Sequence, residues 1–376
     1  MGEVSNPFHY GSPAKGESFV DRQAELEDIV DRMLNGQNII LLSPRRYGKT
    51  SLLLEAIDRT KSRHGRSGYA SLLMCTNHRE VAETLLTAVL NGPLSWLTSQ
   101  RQKFGQVLSR VRPTLSFGLD ESGSLRANLS PGVADREWHH TITMVLRLLT
   151  DAGEGRRPVS LVLDEFQQVA EIDDSLPALF KVMADELRDV SLVFAGSKMH
   201  VMERIATGPG APLLGMGEVI SLGPIAEEVM ATFLPRRSRS SDKSMSAAVA
   251  RRIYQLVDGV PNDVQRLAYE AFLQAGEAVT EDVVQAALQS VVAHRALDYE
   301  ETFTRLAPGQ QRVLKALARE PRAALYSRDF MNEVDLANSG SVRRALEVLT
   351  DLELVTHRGP AWVVADAFFR TWLVAA

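Results

Sequence analysis

The feature that most constrains the fold of this chain is the nine-residue segment SPRRYGKTS at residues 43–51. An apolar run over residues 39–42 precedes it, and residues 52–56, which have helical character, follow it. A strand, a short turn containing glycine, a Lys-Thr pair and a helix, in this order, are the layout of a phosphate-binding loop. The sequence therefore predicts a nucleotide site on an α/β core with a parallel sheet.

The loop suits a triphosphate because a turn between strand and helix offers many backbone N–H groups, and the helix N-terminus adds a positive dipole end. Lys49 is predicted to reach the β- and γ-phosphates, and the Thr50 hydroxyl to ligate Mg²⁺. The usual pattern opens with glycine where this chain has Ser43, a place that serine can take with an ordinary φ. The predicted nucleotide-binding residues here are Ser43, Pro44, Arg45, Arg46, Tyr47, Gly48, Lys49, Thr50 and Ser51.

A second apolar strand, residues 159–163, ends in the acidic pair Asp164-Glu165. Apolar residues on both of its faces favour a central parallel strand, and ligands bind at the carboxyl ends of such strands. We expect Asp164 to hold Mg²⁺, and Glu165 to orient and deprotonate the attacking water. The alternative is a pair of solvated acids at a strand end. The two motifs together predict an ATP-hydrolysing site.

A third apolar run, residues 192–195, leads into Gly196-Ser197-Lys198. Ser197 is the candidate for contact with the γ-phosphate or the lytic water, and Lys198 is the second choice. The alternative role for Ser197 is to cap a helix over residues 198–205, and the two roles are compatible.

Strands that alternate with helices indicate βαβ units over residues 1–223. Strands are predicted at 38–42, 69–75, 159–163, 191–195 and 218–222, and Cys75 is expected to be a buried cysteine in the second of them. Residues 113–119 and 124–129 alternate apolar and polar side chains around a turn, which predicts a hairpin insertion within 113–130. A basic helix is predicted before it, over residues 100–112, and the insertion is a candidate partner surface.

The remaining sequence predicts two further domains. Residues 224–298 are all-helical, which indicates a lid, and they contain a basic loop with two open roles, a solvated surface or a contact with nucleotide or nucleic acid. Residues 299–376 predict three helices and a two-stranded wing, which is a winged helix. The basic loop comprises Arg236, Arg237, Arg239 and Lys243.

A winged helix that binds DNA would place Ser339, Ser341, Arg343 and Arg344 near the groove and Arg358 against a phosphate. From residue 301 onward there are ten basic and nine acidic side chains, so a basic stripe is not evident. DNA contact, protein docking and intramolecular autoinhibition therefore all remain open for this domain.

Composition limits the class of protein. The hydrophobic share is 45% and the charged share 24%, which is ordinary for a globular protein, and the net charge of −5 gives no general attraction to nucleic acid. A single cysteine excludes an internal disulfide framework and fits a reducing compartment. Because no apolar stretch reaches about 20 residues and the N-terminus lacks a signal-peptide core, we expect a cytoplasmic protein without a membrane span.

Several motifs occur in a characteristic order. This order resembles that of the archaeal-type STAND ATPases, relatives of the origin-recognition initiators within the AAA+ class of P-loop NTPases (ASCE group), and the similarity spans nearly the whole chain. The motifs are NPF at 6–8, FVDR at 19–22, the phosphate loop with its following SLL, LDEFQ at 163–167, AGS at 195–197, PLLGMGEVISLGPI at 212–225, GVPNDVQRL at 259–267 and the terminal winged helix.

The resemblance implies ATP rather than GTP as the nucleotide. It implies that the region of Val20 and Arg22 wraps the adenine and that Pro261 belongs to a sensor-like segment of the lid. It also implies a switch in which ATP binding changes the packing of core, lid and winged helix and leads to assembly into a homo-oligomer. A separate protein effector is expected, because many relatives carry a further C-terminal nuclease-like domain after the point where this chain ends.

One position departs from the family pattern. The family commonly has Gly-Arg where this chain has Gly215-Met216, and that arginine can reach a neighbour's phosphate. Its absence predicts slow hydrolysis, or replacement by another arginine such as Arg204 or Arg46. The leading hypothesis is therefore a slow Mg-ATP-dependent switch that regulates or assembles a partner, with two rivals: a DNA-binding regulator whose nucleotide site is mainly structural, and a scaffold that binds ATP without turnover.

Overall fold

The computed structural model describes residues 6–96, 115–119, 125–129, 135–152 and 157–376, with side chains assigned outside residues 115–119, 125–129 and 135–136. The chain divides into two compact units. We call Pro13–Gly223 the sheet unit, and Pro224–Ala376 with the described part of Met1–Ser12 the helical unit. The basic helix predicted over residues 100–112 lies outside the described residues.

The sheet unit alternates strands and helices, as the apolar periodicity predicts. In chain order its elements are α1 (Gln23–Leu34), β1 (Ile39–Leu42), α2 (Lys49–Ser62), β2 (Arg66–Ser71), α3 (His78–Asn91), β3 (Leu115–Leu119), β4 (Leu125–Leu129), α4 (Asp135–Ala152), β5 (Val159–Asp164), α5 (Gln167–Ile172), α6 (Leu176–Glu186), β6 (Val190–Gly196), α7 (Met199–Ala206) and β7 (Glu218–Ser221).

Five of these strands form one parallel sheet in the order β2-β5-β6-β1-β7. β6 therefore lies between the strand that precedes the phosphate loop and the strand that ends in the acidic pair. The strands β3 and β4 pair antiparallel with each other, as their alternating sequence predicts. Because parallel strands run in one direction, the carboxyl ends of β1, β5 and β6 lie at the same edge of the sheet.

Helices cover both faces of this sheet, so its central strands are buried throughout. Ile39, Leu41 and Val162 pack with α1 and α2 on one face, whereas Ile40 and Leu161 pack with α3 to α7 on the other. This explains why β1, β5 and β6 are nearly continuous apolar runs and do not alternate. The fold is a three-layer α/β sandwich.

The helical unit contains small helices and a wing. Its elements are α8 (Glu227–Arg239), β8 (Ser244–Met245), α9 (Ala247–Leu256), α10 (Pro261–Gln274), β9 (Ala278–Val279), α11 (Glu281–His294), α12 (Ala296–Thr304), α13 (Pro308–Arg319), α14 (Arg328–Glu333), α15 (Ser339–Asp351), β10 (Val355–Arg358), β11 (Ala361–Val364) and α16 (Ala367–Ala375). The last two strands pair antiparallel and form the wing of the winged helix.

The residue at the start of a helix explains several boundaries in the winged helix. The Ser327 side chain accepts from the N–H of Phe330 and begins α14, as its sequence position predicts. The Asn338 side chain accepts from the N–H of Ser341 and begins α15. The wing turn is short, because Arg358 is still paired with Ala361 and belongs to β10.

Two sequence expectations in these units are wrong. Cys75 is buried but lies outside β2, because that strand follows its pairing with β5 and ends at Ser71 opposite Asp164. The predicted basic loop is not wholly a loop, because α8 continues through Pro235 to Arg239, so that Arg236, Arg237 and Arg239 are helical. The buried Phe233 and Leu234 in the same helix show that tertiary packing offsets the cost of an internal proline.

The described N-terminal residues belong to the helical unit by their contacts. The Asn6 amide donates to the carbonyl of Tyr269, and the N–H of Gly11 donates to Asn262 Oδ1. The three-part division at residues 223 and 298 stays a prediction, since the two units form a coarser division. Across the described ranges, none of the helices has the length and apolar composition that crossing a bilayer requires.

Candidate functional site

The phosphate loop joins the end of β1 to the start of α2. Gly48 has φ 88° and Arg46 φ 72°, so two residues of this short turn adopt the left-handed region. Glycine suits position 48, because it has no Cβ to stand between the backbone and a ligand. Ser43 is fully buried, is not among the residues with positive φ, and its N–H donates to the carbonyl of Gly196 at 3.3 Å. Serine therefore takes the place of the usual first glycine without strain.

Lys49 is the first residue of α2, and its ammonium group lies between the two acids at the end of β5. Lys49 Nζ is 2.6 Å from Asp164 Oδ1 and 2.7 Å from Glu165 Oε1. The side chains of Lys49 and Asp164 are almost fully buried, and that of Glu165 is 16% exposed. The Lys49 ammonium group thus faces two carboxylates in a poorly solvated place.

Asp164 accepts hydrogen bonds on both oxygens. Thr50 Oγ1 donates to its Oδ2 at 3.1 Å, and the Tyr69 hydroxyl donates to the same oxygen at 2.7 Å. The backbone N–H of Glu165 donates to the Oδ1 atom at 2.9 Å. Burial, followed by the negative charge of Asp164, raises the pKa of Tyr69 well above its ordinary value, so the phenol keeps its proton. Tyr69 is a site residue that the sequence motifs do not indicate.

Glu165 is held in place by three donors. Gln167 Nε2 donates to its Oε2 at 2.6 Å, Ser197 Oγ donates to the same oxygen at 2.7 Å, and Lys49 contacts the other oxygen. Burial alone would raise the pKa of Glu165, but the Lys49 charge and these hydrogen bonds lower it overall. The backbone of Glu165 has φ 55°, an uncommon conformation for a residue with a side chain.

Ser197 does not cap a helix. It is buried, and α7 begins at Met199 after Lys198, which makes no side-chain cap. The capping alternative is therefore wrong, and the hydroxyl is used on Glu165 instead. Lys198, the second choice for contact with the γ-phosphate or the lytic water, forms an ion pair with Glu171 at 2.6 Å. Gln167 is a site residue that sequence reasoning missed. It could have been found from its place at the end of the LDEFQ motif, two residues after Glu165.

The other predicted nucleotide-binding residues lie in the segment before α1, in the phosphate loop with the start of α2, and at the start of α10. Arg22 is buried, pairs with Glu25 at 3.0 Å and donates to the carbonyls of Tyr47 and Gly223. Arg45 and Arg46 lie on the exposed part of the loop, and Ser51 Oγ accepts from the N–H of Ala14 at 2.9 Å. Val20, Pro44 and Tyr47 are half-buried in the sheet unit, whereas Pro261 begins α10 in the helical unit.

The position that lacks the family's arginine, the candidate replacement Arg204 and the predicted DNA contacts also have defined positions. Met216 is buried and Arg204 is exposed on α7. In α15, Ser341 is half-buried, and Arg343 and Arg344 are exposed. Arg358 on the wing pairs with Asp258 at 3.0 Å, and Arg370 contacts the other oxygen of the same carboxylate.

The residues present fit a magnesium nucleotide. Thr50 Oγ1 and Asp164 Oδ2 are neighbouring oxygen atoms, and hard divalent cations prefer oxygen ligands. Two carboxylates at the carboxyl edge of a parallel sheet favour such a cation, and the backbone of the loop offers N–H donors for phosphates. The geometry can therefore support binding and in-line hydrolysis of a nucleoside triphosphate.

Comparison with protein-family models gives two matches. A model described as an ATPase domain predominantly from Archaea matches residues 19–267, and one described as a probable winged helix domain matches residues 297–375. No curated protein matches this chain.

Several solved structures resemble the whole chain. The Walker-type ATPase PABY2304 of Pyrococcus abyssi has a TM-score of 0.67 at 20% identity, and the match covers 98% of this chain and 99% of that one. The Aeropyrum pernix ORC2 protein in its ADPNP–ADP complexes has a TM-score of 0.53 at 16% identity and 94% coverage of both chains. The Aeropyrum pernix ORC1 protein in complex with DNA has a TM-score of 0.52 at 16% identity, covering 96% of this chain and 94% of that one. The likeness establishes the fold, a P-loop ATPase sheet core with a helical region and a C-terminal winged helix.

Proposed function

The chain belongs to the family of ATPase domains found predominantly in Archaea, and on this premise we propose that it is a Mg-ATP-dependent molecular switch that hydrolyses ATP slowly. The observation that carries the proposal is the convergence of Lys49, Asp164 and Glu165 within 2.7 Å contacts at one edge of the sheet. Binding of ATP regulates or assembles a protein partner. The STAND class and a homo-oligomeric ATP-bound state are parts of the same proposal.

Each residue of the cluster has a role in this proposal. Lys49 leaves the carboxylates to bind the β- and γ-phosphates, and the loop N–H groups hold the rest of the phosphate chain. Thr50 and Asp164 would hold Mg²⁺, which when bound neutralises charge on the phosphates. Glu165 orients and deprotonates the attacking water, and Ser197 and Gln167 position its carboxylate.

Slow turnover follows from two features. Met216 stands where the family commonly has arginine, and a missing arginine finger costs orders of magnitude in rate. In addition, Glu165 is engaged by Lys49, Gln167 and Ser197, so its carboxylate must exchange partners before it can act as a base. A switch suits these constraints, because it needs a long-lived ATP state.

The first test is Glu165→Gln. We expect phosphate release to fall by about 10²- to 10⁴-fold, since a general base is lost, while binding of a fluorescent ATP analogue persists. The matched control is Glu171→Gln, which removes a carboxylate of α5 that pairs with Lys198 outside the cluster. Unchanged phosphate release in Glu165→Gln would favour the scaffold without turnover.

The second test is native mass measurement with and without ATP and Mg²⁺. We expect a ligand-dependent rise to a multiple of the 41.5 kDa chain mass in the Glu165→Gln variant, which retains ATP. A Lys49→Ala variant is the control, because it lacks the phosphate-binding ammonium group and should keep the mass of the nucleotide-free protein. If ATP and Mg²⁺ leave the mass of both variants unchanged, the assembly part of the proposal is contradicted.

A second candidate function is contact with DNA through the winged helix. Arg343 and Arg344 are exposed near the start of α15, the helix that such domains place in a groove. The hypothesis of a DNA-binding regulator with a mainly structural nucleotide site rests on these two side chains.

A further inference from the structure

Three side chains with metal-binding atoms meet in the sheet unit, apart from the phosphate loop and its acids. His78 is the first residue of α3, His139 lies in α4, and Asp173 directly follows α5. His78 Nε2 is 2.9 Å from Asp173 Oδ2, and His139 Nε2 is 3.3 Å from the same oxygen. One ligand atom of each residue lies within 4.8 Å of the other two.

We propose that His78, His139 and Asp173 bind one divalent transition-metal ion of the zinc class. Two imidazole nitrogens and one carboxylate oxygen are a common ligand set for zinc sites that keep a fourth position for water. Magnesium and calcium are disfavoured, because they prefer all-oxygen ligand sets.

The present separations are close to those that a bound ion needs. Zinc bonds of about 2.0–2.1 Å in a tetrahedral arrangement place neighbouring ligand atoms about 3.3 Å apart. The His139–Asp173 separation is already 3.3 Å, and the His78–Asp173 separation is 2.9 Å. The imidazole ring centroids lie 5.4 Å apart and the ring planes are tilted by 59°, so the rings are not stacked on each other.

The surroundings of Asp173 support a role as ligand. Its Oδ1 atom accepts from the N–H of Ser175 at 2.8 Å, which orients the carboxylate and leaves Oδ2 directed at the two histidines. The side chains of His78, Asp173 and His139 are 14%, 27% and 34% exposed, so an ion can enter and keep a water ligand.

A hydrogen-bonded cluster without metal would make the same contacts, with each Nε2 donating a proton to the carboxylate. The two explanations differ in what happens on addition of metal. In a ligand site the ion bonds to both Nε2 atoms, so each neutral ring carries its proton on Nδ1 instead. An ion would also join α3, α4 and the turn after α5, and so raise the melting temperature.

The test uses full-length protein without a histidine tag, stripped with EDTA and then titrated with Zn²⁺ or Co²⁺. We expect one ion per chain, a visible Co²⁺ absorption band, and a melting temperature raised by about 5–10 °C at 100-fold excess over Kd. His78→Gln and His139→Gln should each abolish the stoichiometric binding. His140→Gln is the matched control, because His140 is exposed on the same helix and lies outside the cluster.

A second measurement protects the test against variants that do not fold. In the wild-type protein, Zn²⁺ should shift the ring NMR signals of two of the eight histidines and leave six unchanged. Stoichiometric Co²⁺ binding that survives in His78→Gln and His139→Gln would place the ion elsewhere and overturn the proposal. The same holds if the wild-type protein binds no ion at micromolar concentration, or if its histidine signals do not move.

Discussion

Lys49 lies between the carboxylates of Asp164 and Glu165, so its charge affects the fold as well as the ligand. Removing it takes away the ion pairs that Asp164 and Glu165 form at the end of β5. Breaking a buried ion pair by deleting one partner is costly, because the remaining charge has lost its solvent and its counterion. The phosphate-binding residue is therefore also a residue that stabilises the protein without nucleotide.

We predict that Lys49→Met lowers the free energy of local unfolding around β1 and β5 by about 3 kcal/mol. Hydrogen exchange read by mass spectrometry on peptides from these strands measures the change without assuming that both units unfold together. Lys181→Met is the control, because Lys181 pairs with Asp185 at 3.7 Å on the surface of α6, and should cost less than about 0.5 kcal/mol. Equal exchange in wild type and Lys49→Met would argue against the buried ion pair.

The residues of the cluster differ in how far sequence could identify them. Lys49, Thr50, Asp164 and Glu165 stand at fixed places in two short motifs, each directly after an apolar strand. The role of Tyr69 depends on how β2 pairs with β5, and a register between strands whose partners lie 93 positions apart is not visible in local sequence.

At the level of elements, the helix starts in the winged helix depend on single side chains. Asn338 accepts from the Ser341 N–H at 3.0 Å and satisfies one of the unpaired donors of α15. This helix carries Arg343 and Arg344, the two exposed arginines of the DNA hypothesis, so a stable first turn is needed to hold them in place.

We predict that Asn338→Ala destabilises α15 by about 1 kcal/mol, whereas Asn338→Asp stays within a few tenths of wild type because aspartate caps equally well. Hydrogen exchange of the backbone amides in the first turn of α15 measures the change in helix stability in both variants. Similar exchange rates in the alanine and aspartate variants would show that the cap is not needed.

The boundaries of helices and strands are harder to predict from sequence than their type and order. Hydropathy favours a strand over residues 69–75, yet β2 runs over Arg66–Ser71, because its limits are set by hydrogen bonds to β5. Leu73 and Met74 lie beyond the strand and are 54% and 83% exposed. Similarly, α8 continues past Pro235, where local rules end a helix. In both cases tertiary partners outweigh the local preference.

At the level of the whole molecule, the net charge of −5 and the engaged wing arginine limit any binding to DNA. Each neutralised phosphate contributes about 0.9 to the slope of log K against log salt. Two exposed arginines near the start of α15 therefore support only a weak and shallow salt dependence.

We predict a slope of about −2 or shallower in a salt titration with duplex DNA, falling to about −1 in Arg343→Ala. Asp258→Asn should make the slope steeper, to about −3, because it weakens the ion pair that holds Arg358. Fluorescence anisotropy with a labelled duplex gives the binding constant of all three proteins at each salt concentration, and so the slope. A wild-type slope steeper than −4 would point to phosphate contacts on a different surface.

The strand order of the sheet has a consequence for biosynthesis. The neighbours of β1 are β6 and β7, and that of β2 is β5, so each early strand waits for a partner made much later. At roughly 5–20 residues per second, a ribosome needs about 10–30 s to travel from the end of β1 to the end of β6. During that interval the apolar residues of Ile39–Leu42 cannot yet pair with β6 or β7, and an unpaired apolar strand is prone to aggregation.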